Sequence, residues 1–248
     1  MAEAESVLWD YTRYATTAPD ELTTITMLMA APPAPFIPAE KQGTPVVAIM
    51  VCYVGDLAEG ERVVAPLRTL GTPIADVIAP MPYPVMFAFA EEATIRGLDQ
   101  YVRSMFMKEM SDDVVHIIAK DAVPIISPAT IVQIRILGGV MGRVSVDATA
   151  FAHRDKQAMV SVFNTGPRSA DNEGHEVLAE QVWETLKPYG DGVYVNFLAN
   201  EGGERVHEAY SVATYERLAA LKKRYDPDNL FHLNQNIGPA RTGWLSLK

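Results

Sequence analysis

The sequence predicts an α+β fold in which a mainly antiparallel sheet is flanked by helices. Segments with alternating apolar residues and segments with apolar residues at helical spacing follow one another without strict alternation, which is atypical of a repeated βαβ fold. The chain has 248 residues, of which 48% are hydrophobic and 21% are charged. This length and this composition are typical of a globular protein with a substantial buried core. We therefore expect an ordered fold rather than global disorder.

The first part of the chain predicts a helix, two strands and a proline-rich connection. Residues 6–16 place apolar side chains on one side at helical spacing. Residues 21–31 alternate between two sets of side chains, as a half-buried strand does. Residues 32–45 contain five prolines, which excludes regular structure there. Residues 45–55 are a nearly continuous apolar run, typical of a central strand covered on both faces.

The next segments predict further helices and strands. Residues 60–70 have helical spacing, and Gly71 follows them as a natural stop. Residues 74–81 predict a strand that is ended by prolines. Asp112–Lys120 predicts a helix that begins after Ser111, whose side chain can cap it.

The middle of the chain predicts a strand-rich region followed by an amphipathic helix. Residues 130–137, 144–152 and 159–164 have the composition of strands. The polar residues 153–156 predict a hairpin turn between the last two of these strands. Residues 172–186 have a clear apolar stripe and predict a helix.

The last quarter predicts a short strand and a long helix. Residues 193–198 are the strand, and residues 204–225 are largely helical with an interruption near Ser211. We expect residues 1–190 to form an α+β domain, and residues 191–248 to form a C-terminal segment that packs on the same domain.

Charge and cysteine content exclude several classes of protein. The formal net charge is −10, which repels phosphate backbones and makes nucleic acid a poor partner. The longest apolar run has the length of a strand, so we expect no membrane span, and the acidic first residues lack the pattern of a signal peptide. A single cysteine, Cys52, excludes an internal disulfide, and its apolar surroundings predict a buried, inert thiol. We expect a cytoplasmic protein.

Three short motifs resemble functional signatures without matching them. The glycines of residues 138–142 have the wrong spacing for a dinucleotide loop, so a turn between strands is favoured. His175 and His207 each precede a glutamate but lack a second histidine four residues later, so we expect no metal site. His153 and Arg154 lie either in a cleft or at the tip of a hairpin, and the sequence leaves both readings open.

The C-terminal region carries the strongest functional signal. Tyr194 and Asn196 would share one face of the predicted short strand. Pro227 stops the preceding helix. Asn234 and Asn236 are two positions apart, so in an extended segment their amides would face the same way, where they could bind the edge of a planar heteroaromatic ring.

The stretch YERLAALKKRYDPDNLFHLNQNI, at residues 215–237, resembles the C-terminal signature of the berberine-bridge-enzyme-like FAD-linked oxidases of the vanillyl-alcohol-oxidase (PCMH) superfamily. Weaker resemblance extends upstream, so nearly all of the chain is similar to the C-terminal half of such an oxidase. The upstream matches are APDELTT at 18–24, GTPVVAI at 43–49, LRTLGTPIAD at 67–76 and ILGGVMGRVSVDATAFAHR at 136–154.

The resemblance implies oxidation of an alcohol, a sugar or a similar carbon centre by FAD, with the sheet lying over the flavin ring as in the substrate domain of these oxidases. It implies that Tyr194 is the catalytic acid–base residue. The implied cofactor-binding residues are Tyr194, Asn196, Asn234 and Asn236, and the implied substrate-binding residues are Tyr83, Arg135 and His153.

The chain departs from the family in two ways that bear on activity. The FAD-binding domain of the family is absent from the sequence, so a separate FAD-binding chain or subunit would hold most of the cofactor. Phe197 stands where several members have a titratable residue, and a phenylalanine ring cannot act as a base. Two alternatives therefore stay open: a non-enzymatic, homo-oligomeric module that binds a small ligand, and an enzyme that binds FAD unaided across a dimer interface.

Overall fold

The structure is a computed structural model that describes residues 3–90, 97–122, 126–127, 129–167, 169–199 and 201–240. Within these ranges the helices are α1 (Ala4–Ala15), α2 (Leu57–Val64), α3 (Asp112–Lys120), α4 (Gly139–Arg143), α5 (Ala170–Leu186), α6 (Gly203–Glu208) and α7 (Val212–Tyr225). The strands are β1 (Leu22–Ala30), β2 (Pro45–Tyr53), β3 (Asp99–Met107), β4 (Thr130–Ile136) and β5 (Ala158–Gly166). Short 3-10 segments lie at Ala39–Lys41, Ala65–Thr69, Tyr83–Ala90, Lys187–Tyr189 and Val195–Phe197.

The described strands form one five-stranded sheet in the order β2-β1-β4-β5-β3, and every neighbouring pair is antiparallel. This confirms the predicted α+β class with an antiparallel sheet and flanking helices. None of the described helices is long and apolar enough to cross a bilayer.

One face of the sheet is covered by α1, α3 and α5, and we call it the helix face. Because side chains alternate along a strand, every second residue of each strand points to this face. Val132 and Ile134 of β4 and Val160 of β5 lie there with at most 1% of their surface exposed. Leu8 of α1 and Leu186 of α5 are fully buried against them. This apolar layer is the main core of the protein.

Three of the described helices, α2, α3 and α7, begin at a side-chain cap. The Asp56 carboxylate accepts hydrogen bonds from the backbone N–H groups of residues 58 and 59 at the start of α2. Ser111 caps α3, as predicted, by accepting from the N–H of residue 114. Ser211 caps α7 in the same way, which explains the predicted interruption between α6 and α7.

The prediction of a central strand at residues 45–55 is wrong in its position. β2 lies at the edge of the sheet, and all of its residues are half-buried. A cavity of about 400 Å³ beside this edge is lined by β2 and by residues 67–78. The apolar run therefore reflects partial cover by a neighbouring segment rather than cover by helices on both faces.

Two other predicted strands are absent from described residues. Residues 74–81 form no regular element, and Ile74 and Val77 in this segment are exposed. Residues 144–152 consist of turns, bends and coil, with Val146 exposed. These apolar residues do not reach the core, so apolar composition alone was misleading there.

The connection between β4 and β5 is a long excursion rather than a hairpin. The glycine-rich residues 138–142, predicted as a turn between strands, include the short helix α4. The connection closes where the N–H of Leu137 donates to the carbonyl of Gln157 at 2.7 Å. The predicted hairpin turn at residues 153–156 is therefore wrong, because the strand that should precede it does not form.

Strand β3, which was not predicted from the sequence, is the other edge of the sheet. Residues 190–192 run along its outer edge. The N–H of Phe106 donates to the carbonyl of Gly192 at 2.9 Å, and the N–H of Asp191 donates to the carbonyl of Phe106 at 2.7 Å. This pairing delivers the following residues across the sheet face that lies opposite the helices.

An ionic cluster also joins the C-terminal residues to the sheet. Glu201, whose side chain is 6% exposed, lies 3.2 Å from Arg205 and 3.9 Å from Arg103 of β3. Arg205 donates to the backbone carbonyl of Ser104 at 3.3 Å. Because these charges are partly buried and paired, the cluster stabilises the packing of α6 on β3. The boundary predicted at residue 190 stays a prediction.

Candidate functional site

The face of the sheet opposite the helices, which we call the opposite face, carries a row of polar side chains. In the antiparallel register, Gln133 of β4 faces Ser161 of β5, and Ser161 faces Ser104 of β3. Gln133 Oε1, Ser161 Oγ and Ser104 Oγ are buried and lack a hydrogen-bond partner. Buried polar atoms without partners cost free energy. Ser104 and Ser161 are at most 1% exposed and Gln133 is half-buried, so a ligand on this face would meet Gln133 rather than the two hydroxyls.

Arg135 lies two residues beyond Gln133 on the same face of β4. The register places it between Ile25 of β1 and Met159 of β5. Its guanidinium carbon is 5.1 Å from the centre of the Phe197 ring, and its Nη1 atom is buried without a hydrogen bond. Burial lowers the pKa of Arg135.

An aromatic cluster lies beside this polar row. The His153 ring stacks on Phe106 of β3 with centroids 4.5 Å apart. Phe151 and Tyr194 meet at 6.1 Å, and both contact Phe106 edge to face. Tyr194 also contacts Phe197 at 5.4 Å, and Phe197 contacts Phe163 of β5 at 6.1 Å. The cluster therefore connects Tyr194 and His153, two predicted site residues, with Arg135 through Phe197.

His153 is held as part of this aromatic layer and not at a hairpin tip. Its Nε2 lies 3.1 Å from the carbonyl oxygen of Ala209, so the neutral ring donates its Nε2–H there. Burial lowers the pKa of His153, and the contact with Ala209 opposes that shift only in part. Gly192 has φ of +93°, and a Cβ atom there would lie 2.2 Å from His153 Cε1. Only glycine fits beside the imidazole in this conformation.

Tyr194 and Asn196 are brought together by a turn rather than by a strand. Val195–Phe197 is a 3-10 segment, so the predicted strand at residues 193–198 is wrong. The chain leaves the edge of β3 and crosses the opposite face here, which leaves it no strand to pair with. The Asn196 Nδ2–H group donates to the Tyr194 hydroxyl oxygen at 2.7 Å, which leaves the hydroxyl hydrogen of Tyr194 available to another acceptor.

Asn234 and Asn236 lie in the tail that follows α7. Asn234 is exposed and has φ of +59°, and the N–H of Asn236 donates to its carbonyl at 3.0 Å. The segment therefore turns at Asn234, and the expectation of an extended segment is wrong. Asn236 is half-buried and lines an open groove of about 390 Å³ beside α7. The described contacts place neither amide against Tyr194.

Gln235, which the sequence analysis passed over, joins this tail to the opposite face. Its Nε2 donates to the carbonyl of Leu198, one residue after Phe197. Tyr83 lies in another segment, where it is 67% exposed and meets Phe87 edge to face. The structure therefore brings together four of the predicted site residues, namely Tyr194, Asn196, Arg135 and His153.

The residues missed by sequence reasoning had a recognisable signal. β4 alternates between the buried Val132 and Ile134 and the polar Gln133 and Arg135, so a strand already identified presented two polar side chains to one face. Ser161 could not be singled out, because its role depends on the register between strands. Within the described ranges, no group of His, Cys, Asp or Glu side chains could hold a metal ion.

Comparisons with known proteins match this architecture. Residues 193–238 match the family model described as berberine and berberine like. The chain is 28% identical over 195 residues to an FAD-linked oxidoreductase of Dictyostelium discoideum, a match that covers 78% of this chain and 42% of that protein. It is 26% identical over 221 residues to (R)-6-hydroxynicotine oxidase of Paenarthrobacter nicotinovorans, covering 84% of this chain and 47% of that protein.

These matches show that the chain is similar to the C-terminal half of FAD-linked oxidoreductases. Solved structures agree on the fold. The 6-hydroxy-D-nicotine oxidase of Arthrobacter nicotinovorans superposes with a TM-score of 0.78 at 21% identity, over 96% of this chain and 52% of that chain. Berberine bridge enzyme from Eschscholzia californica superposes with a TM-score of 0.75 at 18% identity, over 98% of this chain and 53% of that chain. The chain thus spans about half the length of these relatives.

The described residues fit one part of FAD and not the other. The aromatic side chains of Tyr194 and Phe197, with the Arg135 guanidinium against Phe197, suit a planar heteroaromatic ring such as a flavin. The pyrophosphate needs backbone donors at a helix start without negative charge. The first turns of α1, α2 and α3 instead contain acidic residues: Glu5, Glu59, Asp112 and Asp113. The first turn of α7 has no acidic residue, and its N–H of residue 214 is already capped by Ser211.

Proposed function

We propose that this chain is the substrate-binding part of an FAD-dependent oxidoreductase that oxidises an alcohol, a sugar or a similar carbon centre. The observation that carries this proposal is the opposite face of the sheet, where buried polar atoms without partners lie beside an aromatic cluster. The bound flavin supplies the acceptor for the hydride that leaves the substrate carbon.

Tyr194 is the residue of this chain proposed to take the substrate proton. Asn196 donates to its hydroxyl oxygen and fixes the position of that oxygen. Phe197 covers Arg135 and excludes water from this part of the face, but it has no proton to transfer. The chain therefore contributes substrate orientation and one acid–base group.

We propose that the FAD phosphates are held by a polypeptide region outside residues 1–248. The experiment below supplies that region as a separate FAD-binding chain. The acidic first turns of α1, α2 and α3 support this division. The tail after α7 also exposes Leu230, Phe231 and Leu233 by 72%, 78% and 81%. Such a concentration of exposed apolar side chains favours burial in an interface.

The test is reconstitution. The purified chain is mixed with an FAD-binding chain encoded beside it, and flavin absorbance in the complex and turnover of alcohols and sugars are measured. We expect a flavin-containing complex that turns over. Tyr194→Phe should lower kcat by about a hundredfold, a typical loss for a general acid–base group. Tyr189→Phe, a half-exposed tyrosine outside the cluster, is the matched control and should retain activity. A complex that neither holds flavin nor turns over would refute the proposal.

A second candidate function is a non-enzymatic, homo-oligomeric module that binds a small ligand. Phe197 favours it, because this position lacks a titratable group, and the exposed apolar tail would then be buried between copies of the chain. Sedimentation separates the two: this candidate predicts a stable homo-oligomer of the chain alone, whereas a monomer that associates only with the FAD-binding chain contradicts it.

A further inference from the structure

Within the described ranges, Arg135 differs from the other partly buried arginines in lacking both a carboxylate partner and a hydrogen-bonded partner. Arg154 also has no carboxylate within 4.0 Å in these ranges, but it donates to the carbonyl of Met141 at 3.0 Å. Arg103 lies 3.5 Å from Glu180, Arg205 lies 3.2 Å from Glu201, and Arg68 lies 3.4 Å from Glu61. Among the residues that the structure describes, no carboxylate lies within 4.0 Å of Arg135, and its Nη1 has no hydrogen bond. The protein therefore holds one cation on the opposite face without neutralising it.

An unpaired guanidinium on a half-buried sheet face is costly. Its neighbours by register are Ile25 and Met159, and Phe197 covers one side of its plane. These side chains remove water from the cation and offer no acceptor in return, so the uncompensated charge destabilises the protein. A planar oxyanion that forms two parallel hydrogen bonds with the guanidinium would restore the lost solvation.

Gln133 and Arg135 together fix the orientation of a bound ligand. Gln133 Oε1, two residues from Arg135 on the same face, is an acceptor without a partner. Successive side chains on one face of a strand are about 7 Å apart. Arg135 attracts an anionic group by its charge, whereas the neutral Gln133 amide pairs with a neutral polar group, so the two residues distinguish the two ends of a ligand. Around them, Ile25 and Met159 flank Arg135 and Met27 flanks Gln133, so the ligand surface beside the two polar groups is apolar.

We propose that Arg135 binds the carboxylate of an apolar substrate, so that the substrates of this chain are carboxylic acids. This inference rests on the proposed function, since it names the substrate class of the same site. It makes Arg135 a specificity-determining residue and gives Gln133 the role of accepting a hydrogen bond from a donor group elsewhere on the substrate.

The experiment compares an acid with its neutral isostere on the chain itself. Benzoate and benzamide have the same shape and differ in charge. Their binding to the full chain is measured by calorimetry and by the NMR resonance of the Arg135 Nε–H group, at low ionic strength. We expect benzoate to bind about tenfold more tightly than benzamide or better, because charge-assisted hydrogen bonds are the stronger ones. We also expect benzoate to shift the Arg135 resonance.

Substitutions test whether Arg135 causes the preference for benzoate over benzamide. Arg135→Gln should reduce benzoate affinity to that of benzamide, and Arg135→Lys should retain part of the preference, because an ammonium keeps the charge but not the bidentate geometry. Arg143→Gln is the matched control, since Arg143 is an exposed surface arginine paired with Asp20, and it should change benzoate affinity by less than about twofold. Circular dichroism establishes that each variant is folded.

Equal affinity for benzoate and benzamide, no benzoate binding by the folded chain, or an unchanged preference in Arg135→Gln would each overturn the inference. No flavin and no turnover enter this assay, so its outcome is independent of the reconstitution test. A reconstituted enzyme that oxidises only neutral alcohols would preserve the proposed function and refute the carboxylate assignment.

Discussion

The two faces of the sheet are built from the same strands and differ in what their polar groups do. On the helix face, the buried Tyr11 hydroxyl is hydrogen-bonded to Thr24 at 2.8 Å, and the polar atom left without a partner in these strands is the neutral hydroxyl of Thr26. On the opposite face, Gln133 and Arg135 have buried atoms without partners, and one of these two residues is charged. The first face maximises packing, whereas the second leaves interactions unmade.

This difference indicates a division of labour within single strands. In β4, Val132 and Ile134 are fully buried in the apolar core, while Gln133 and Arg135 between them are half-buried. Groups that bind a ligand must be kept from pairing within the protein, and this costs stability that the other face has to supply.

The largest expected effect separates the faces by one matched pair of substitutions. Ile134→Ala removes a fully buried side chain from the helix face and should lower the free energy of unfolding by about 2–5 kcal/mol. Ile131→Ala removes the same atoms from a half-buried position on the opposite face of the same strand, so its cost should be less than half as large. Urea denaturation measures both. Equal losses would show that the two faces contribute equally to stability.

The sequence was sufficient for the elements whose pattern is local. α3 was predicted with its observed bounds, because Ser111 caps it and its apolar residues recur at helical spacing. β4 and β5 were predicted within a few residues for a similar reason, since their alternation is carried by the residues themselves. The resemblance noted at residues 215–237 is confirmed by the family model that matches residues 193–238.

The candidate site was less accessible because it depends on register and on irregular segments. The row formed by Gln133, Ser161 and Ser104 exists only once three strands are aligned, and β3 was not predicted at all. Tyr194 and Asn196 were placed together for the wrong reason, since a 3-10 turn and not a strand joins them. Non-local pairing of this kind leaves no local signal in the sequence.

The second prediction concerns the layer that covers the opposite face. Gly192→Ala should lower the free energy of unfolding by about 3 kcal/mol, since a Cβ atom would be 2.2 Å from His153 and the backbone has φ of +93°. Gly43→Ala is the control, because Gly43 has φ of +75° with no atom within 4 Å of the added Cβ. It should cost about 1 kcal/mol from the backbone alone. Thermal or urea unfolding measures both variants. If the two substitutions lower the free energy of unfolding equally, the His153 side chain moves aside for the added Cβ atom.

The third prediction concerns a substitution that should stabilise the protein, whereas most substitutions destabilise it. Arg135→Met replaces an unpaired cation by an apolar side chain of similar length beside Ile25 and Met159, and should raise the free energy of unfolding by about 1 kcal/mol. Glu201→Gln, which removes the partner of Arg205 and Arg103, should lower it by about 2 kcal/mol. The opposite signs distinguish an unpaired charge kept for a ligand from paired charges that hold the structure, and urea denaturation measures both. A destabilised Arg135→Met variant would show that Arg135 stabilises the fold.

The smallest effect is a pH dependence that arises in the aromatic layer. Because burial lowers the pKa of His153 in the folded protein, the unfolded chain binds the proton more readily. The neutral imidazole of His153 therefore stabilises the folded protein fully at pH values above the ordinary histidine pKa of about 6.5. This stabilisation is lost as the pH falls through the lower pKa that His153 has in the folded protein. The loss should be no more than about 1 kcal/mol, since the side chain is half-buried and solvent screens its charge.

Urea denaturation at pH 7.5 and pH 5 should show this loss in the wild type and a smaller one in His153→Asn, whereas His232→Gln, at an exposed histidine, should behave as the wild type does. If His153→Asn keeps the full pH dependence, the stability of the layer over the opposite face does not depend on a neutral imidazole, and its packing on Phe106 tolerates the charge.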